Sequence, residues 1–205
     1  MGLREAKKYI ETLRKKQDNP FLWPDFLTGL PDRAAVLKKL DSVYPRIGKH
    51  SIAYVRIANV HPFILKYGSQ LHAEVIQWAA AILKTVVSGK KGGFVGTVGT
   101  HDFVVIAATG EIRKILRESN NLFKKKMLSL YNSDDRKRGY VISFKRDNGE
   151  SMEIGFMKLV SALVSSMPEI DRLNLIPALE RFCRGLEETG EDIKEFEKND
   201  QEGEE

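Results

Sequence analysis

The four residues Gly99-Thr100-His101-Asp102 constrain this chain most, because they join two short β runs, Phe94 to Val98 and Phe103 to Ala108. A link that short favours adjacent antiparallel strands, whereas parallel neighbours need a crossover of about a dozen residues or more. A longer run, Ser51 to Val60, is rich in Ile, Val and Tyr and reads as a buried strand. Helical spacing lies between them. Pro62 suits a first turn, and Phe63, Tyr67, Leu71, Val75, Trp78 and Ile82 carry the pattern to Val87, with a bend at Gly68.

The flanks extend the same alternation. Asp32 can cap a helix running to about Val43, with Ala35, Val36, Leu37 and Leu40 as its apolar face. Glu111 to Tyr131 reads as a helix and Asn132 to Arg138 as a charged loop. Tyr140 to Phe144 and Met152 to Val164 read as strands around an Asp147-Asn148-Gly149 turn, and a last helix spans Asp171 to Leu186. The order predicts an α+β domain with a mostly antiparallel central sheet flanked by helices.

At the N-terminus, Leu3, Ala6, Ile10 and Leu13 form an a/d seam, with Arg4, Lys7, Lys8, Arg14 and Lys15 largely on the wet side. This amphipathic helix can pack on its own domain or meet a protein partner or a second copy through the seam. Asp18-Asn19-Pro20 ends it, and Phe21-Leu22-Trp23-Pro24 reads as an extended linker. The expected organisation is a helix and linker over 1–24, a domain over 25–186 and a disordered acidic tail over 187–205.

No apolar run approaches the roughly 18 residues that span a bilayer, so no membrane role is expected. The single cysteine, Cys183, excludes an internal disulfide and suits a reducing cytoplasm. From Glu187 onward there are ten Asp/Glu and two Lys, a net −8; with +5 overall, the remaining chain carries +13. A basic body can attract anionic partners. Lys124-Lys125-Lys126, Arg136-Lys137-Arg138 and Lys145-Arg146 lack interleaved aromatics, however, and read as solvated faces rather than a nucleic-acid reader. Gly92, Gly93 and Gly96 are turn and strand glycines outside any phosphate-loop pattern. His61 and His72 read as surface residues, and no Cys/His cluster supports a metal.

Three segments together resemble the GGDEF (diguanylate cyclase-like) family. Asp25-Phe26-Leu27-Thr28-Gly29-Leu30-Pro31-Asp32-Arg33 is similar to its opening signature D-x-L-T-G-L-P-N-R. Lys66-Tyr67-Gly68 is similar to its helix segment ending in Y-G-H, and Gly99-Thr100-His101-Asp102-Phe103 stands at the naming motif. The resemblance covers about Asp25 to Val164 and implies a ferredoxin-like core of the nucleotidyl-cyclase and polymerase-palm type. It also implies a site where the hairpin turn meets the end of the first strand.

The same resemblance implies that the chemistry is lost. Active members join two GTP molecules with carboxylate-held metal ions. The first-strand carboxylate falls at Arg56; a guanidinium about 4 Å from a divalent ion is repelled by roughly 8 kcal/mol at an effective dielectric near 20. The metal-binding carboxylate of the naming motif falls at His101, and magnesium prefers oxygen ligands. Asp102 keeps an acid at the following position. The guanine-reading positions fall at Ile64 and Ala73, which cannot hydrogen-bond a base. The product-feedback pair falls at Lys90 and Gly93, which lack the guanidinium and the carboxylate.

The expectation is therefore a degenerate, catalytically inactive module of cyclic di-GMP-related signalling that acts through protein–protein contacts, without metal or cofactor, in which Arg56 pairs with Asp102 and His101 is an exposed turn residue. The alternatives are a metal-independent nucleotide or cyclic-dinucleotide sensor with Arg56 as a phosphate contact, and a basic-surface nucleic-acid binder.

Overall fold

The computed structural model describes residues 2–16, 25–145 and 151–197. Its sheet is built on β1 (His50–Ala58), whose neighbours are set by the short hairpin and the last long strand. Helix α1 (Leu3–Lys16) and α2 (Arg33–Val43) precede β1, and α3 (Val60–Tyr67) and α4 (His72–Val87) follow it. Next come β2 (Phe94–Thr97), β3 (Asp102–Ala108), α5 (Thr109–Met127), α6 (Ser133–Arg138), β4 (Val141–Lys145) and β5 (Ser151–Ile154). β6 (Lys158–Val164), α7 (Arg172–Thr189) and β7 (Ile193–Glu195) complete the described chain. The sheet order is β2-β3-β1-β6-β7, antiparallel except for the β6–β7 pair, and β4–β5 forms a separate ribbon.

The apolar run at β1 is nearly continuous because both sheet faces are covered. Ala53, Val55 and Ile57 point into a core shared with α1, α3, α4 and α5, and Ile52, Tyr54 and Ala58 into one shared with α2 and α7. A period of two therefore assigns each β1 residue to a side. Arg56 belongs to the α7 side.

The opening signature folds into a support for the hairpin. Asp25 Oδ1 accepts from Thr28 N at 2.7 Å and also from the Thr28 hydroxyl; Gly29 takes a positive φ of 65°, and Leu30 is fully buried. Pro31 O accepts from Thr97 N at 2.9 Å, and Arg33 Nη1 donates to Val98 O at 3.2 Å. Asp32 caps α2 through Ala35 N, as its spacing predicts. Gly96 lets α2 approach: a Cβ there would lie 2.9 Å from Pro31 O and closer still to Val36.

Several boundaries differ from the sequence reading. Gly68, at φ 86°, separates α3 and α4 into two helices rather than bending one. Asn132 to Arg138 is no loop, because Asn132 caps α6 through Asp135 N at 2.8 Å. Asp135 is fully buried and is bound by Lys66, Tyr67 and Arg138. The run Met152 to Val164 divides at Gly155 into strands of two sheets.

The acidic end is not disordered from residue 187. α7 continues to Thr189, and β7 lies parallel to β6, with Phe196 N donating to Leu163 O at 2.7 Å. Asp192 fastens this segment: its carboxylate meets Lys124 at 2.6 Å, Lys158 at 2.9 Å and Asn120 at 2.9 Å. The 17–24 linker, the Asp147-Asn148-Gly149 turn and residues 198–205 lie outside the described residues.

Candidate functional site

The hairpin turn is held by its own backbone and by β1. Val98 N donates to Asp102 O at 2.9 Å, the Thr97 hydroxyl donates to Gly99 O at 2.9 Å, and Ile57 N donates to His101 O at 3.0 Å. These bonds set the naming-motif residues beside the end of β1, where Arg56 and Asp102 are direct cross-strand partners. Phe103 continues into the core and is fully buried, while Gly99 and Thr100 are exposed at the tip.

Arg56 and Asp102 form the expected ion pair, Nη1 to Oδ1, at 2.8 Å. A second carboxylate was not foreseen: Glu187 Oε1 accepts from Arg56 Nε at 2.5 Å. Strand alternation aims Arg56 toward α7, and Glu187 lies one helical turn beyond the buried Cys183. That i, i+4 spacing was the available signal for Glu187. Desolvation alone would lower the Arg56 pKa, but Asp102 and Glu187 reverse this and hold the guanidinium charged. Burial, then Asp102, pushes the neighbouring Tyr54 phenol well above its ordinary range. Burial pushes the Cys183 thiol up to about 12, which makes it unreactive at neutral pH.

His101 is not an exposed turn residue. It is half-buried, and its Nε2 lies 2.6 Å from Nε2 of His72 at the start of α4. Burial, reinforced by His72, lowers the His101 pKa, so the His101 imidazole favours its neutral form. Spacing alone could not have paired these residues, which are joined only by tertiary structure. His72 immediately precedes Ala73, so its contact with His101 ties the start of α4 to the hairpin turn. Ala73 itself is exposed, and Ile64 packs partly buried against the core. Neither offers a hydrogen-bonding side chain.

Magnesium chemistry of the kind the resemblance implies does not fit these residues. At the position that the resemblance assigns to the first-strand carboxylate stands the Arg56 guanidinium, and Asp102 is already bound to it. Among the described residues, no group of three or more His, Cys, Asp or Glu is placed to hold a metal ion. Lys90 pairs with Glu111 at 3.3 Å, and Gly93 is a tight turn in which a Cβ would meet Val87 O at 2.9 Å.

The remaining residues singled out in the sequence fall elsewhere. Ala6 and Ile10 are almost fully buried against α4 and its surroundings, and Leu3 packs at the margin of that core. The seam is therefore covered by its own domain and is not a free pairing surface; the Leu13 side chain lies outside the described residues. Tyr9 donates to Gly29 O at 3.2 Å, tying α1 to the opening signature, and burial raises its phenol to about 12. Trp78 is core, with Lys126 4.6 Å from its ring centre. His61 is exposed at the start of α3. Lys145 lies on β4, its side chain outside the described part, and Arg146 lies beyond it.

Comparison with solved structures matches this arrangement of sheet, helices and hairpin. The fold is that of a GGDEF domain. The GGDEF domain of DgcB from Caulobacter crescentus, solved in complex with c-di-GMP, has a TM-score of 0.56 at 18% identity, covering 83% of this chain and 94% of that one. The GGDEF domain of FimX from Pseudomonas aeruginosa has a TM-score of 0.55 at 12% identity, covering 84% and 98%. Diguanylate cyclase SiaD from Pseudomonas aeruginosa, solved with its activator SiaC, has a TM-score of 0.57 at 14% identity, covering 94% and 70%. No protein-family model matches the sequence, and no curated protein matches it. No helix among the described residues is long and apolar enough to cross a membrane. The GGDEF fold thus accompanies a hairpin turn whose Asp102 is paired with a cation, Arg56.

Proposed function

We propose that this chain is a catalytically inactive GGDEF-like module that works through protein contacts in cyclic di-GMP-related signalling. The observation that carries this reading is the bridging of Arg56, which the resemblance sets at the position of the first-strand metal ligand, to both Asp102 and Glu187. An ion held that way resists replacement by a magnesium–nucleotide complex, because two carboxylates would lose a partner before any new bond formed. The His72–His101 contact supports the same reading from the side of the guanine-reading positions. SiaD, similar in fold, is a diguanylate cyclase crystallised with a protein activator, and docking of that general kind is the mode proposed here.

The two alternatives have weaker support. A metal-independent phosphate contact through Arg56 must compete with two carboxylates already in place. In the basic clusters, Lys124 is engaged by Asp192, Lys126 lies over Trp78, and Arg138 binds Asp135. The deciding experiment incubates purified protein with GTP and Mg2+ or Mn2+, follows product by mass spectrometry, and records melting with GTP and cyclic di-GMP. No product and no shift are expected. Formation of cyclic di-GMP would overturn the proposal, and a nucleotide-dependent rise in Tm without product would move the assignment to a sensor.

A further inference from the structure

We propose that His72 and His101 form a binding site for a divalent transition-metal ion of the zinc, nickel or copper class, distinct in chemistry from the magnesium site of nucleotide cyclases. The two Nε2 atoms converge to 2.6 Å from separate elements, the first turn of α4 and the β2–β3 turn. Both positions are set by backbone bonds. Ile57 N holds His101 O at 3.0 Å, and His72 follows a short 3-10 turn in which its N–H donates to Ser69 O. The ligands are thus brought together before any ion arrives, which lowers the cost of ordering them.

Two imidazole nitrogens on a tetrahedral ion, each at about 2.0–2.1 Å, stand about 3.3 Å apart. The rings need to part by only about 0.7 Å to admit one. Imidazole suits zinc, copper and nickel and is a poor ligand for magnesium. The surroundings do not oppose a cation either. Arg56 lies near His101, but Asp102 and Glu187 bind it, so that cluster of one cation and two carboxylates carries a net negative charge. The Nε2 atoms are the two protein ligands, and water supplies the remaining positions at this half-buried pair.

The test uses the untagged chain, titrated calorimetrically with Zn2+, Ni2+ and Mg2+. His72→Ala, His101→Ala and the control His61→Ala are run alongside, each checked for folding by thermal melting without metal. The expected result is one Zn2+ or Ni2+ per chain, no Mg2+ binding, and affinity unchanged in His61→Ala. Each site variant should lose at least about tenfold, the scale on which even an indirect partner of a metal ligand matters. Cu2+ bound to the wild type should show nitrogen splitting from two imidazoles in its electron paramagnetic resonance spectrum. Absence of transition-metal binding in the wild type, or its retention in folded His72→Ala or His101→Ala, would overturn the site. Neither outcome depends on whether the chain makes cyclic di-GMP.

Discussion

At Arg56 a single cation satisfies two carboxylates that come from elements far apart in sequence, β3 and α7. Removing it leaves Asp102, which is 13% exposed at its side chain, facing Glu187 without a counter-charge. Arg56→Ala is therefore expected to cost roughly 1–3 kcal/mol in urea denaturation, less than a fully buried pair because Arg56 retains some solvent. Arg56→Met, which keeps most of the stem but not the charge, should cost a similar amount if the ion bridge dominates. A much smaller loss would assign the effect to packing. The Arg56–Asp102 half of this bridge was legible beforehand, because the family resemblance sets the hairpin turn beside the end of the first strand and a buried Arg usually has a carboxylate partner. Glu187 was counted into a disordered tail, since ten acids dominate the composition there and hide one turn of helical periodicity. His72 and His101 left no local signal at all. Their meeting depends on where α4 begins, and Gly68 sets that by ending α3 early.

Helices and strands with strong local patterning were read correctly in kind: β1, the β2–β3 hairpin, α2 with its Asp32 cap, and the last helix, α7. Those that depend on distant partners were not. β7 is three residues long and gains its pairing only from the edge of β6, and α6 exists around Asp135, whose partners Lys66 and Tyr67 are on α3. Two predictions belong to this scale. Gly96→Ala should push α2 from the sheet, because the new methyl meets Pro31 O and Val36 together. A loss of about 1–3 kcal/mol is expected, read from denaturant midpoints. Asp192 tests the β7 strap. Desolvation alone would raise its pKa, but Lys124 and Lys158 outweigh that and hold it below the ordinary range. A lowered folded pKa contributes stability above the unfolded value of about 3.9, and that contribution disappears as pH falls through the folded value. Asp192→Asn should thus cost about 1 kcal/mol at neutral pH, and the gap should close in acid below about pH 4. A gap unchanged by pH would mean that the carboxylate charge does not fasten the strap.

For the whole molecule the open question at the sequence level was what α1 does, because two heptads of apolar residues serve a dimer seam and a packing helix equally well. The structure answers with burial. Ile10 is 3% exposed and Ala6 1% exposed within one chain, and Tyr9 reaches the carbonyls of Thr28 and Gly29 in the signature that supports the hairpin. α1 is thereby linked through the opening signature to the same turn that carries His101. Ile10→Ala removes buried methyl groups and leaves a cavity that helix contacts can close only in part, an expected loss of about 2–4 kcal/mol. The concentration dependence separates the two roles. If α1 packs on its own domain, the Tm of Ile10→Ala falls by the same amount at every protein concentration; if the seam joins two copies, wild-type Tm climbs with concentration and the variant abolishes that climb. The burial of Ala6 and Ile10 predicts the first pattern. Melting curves across a wide dilution series, with sedimentation of both proteins, decide between them.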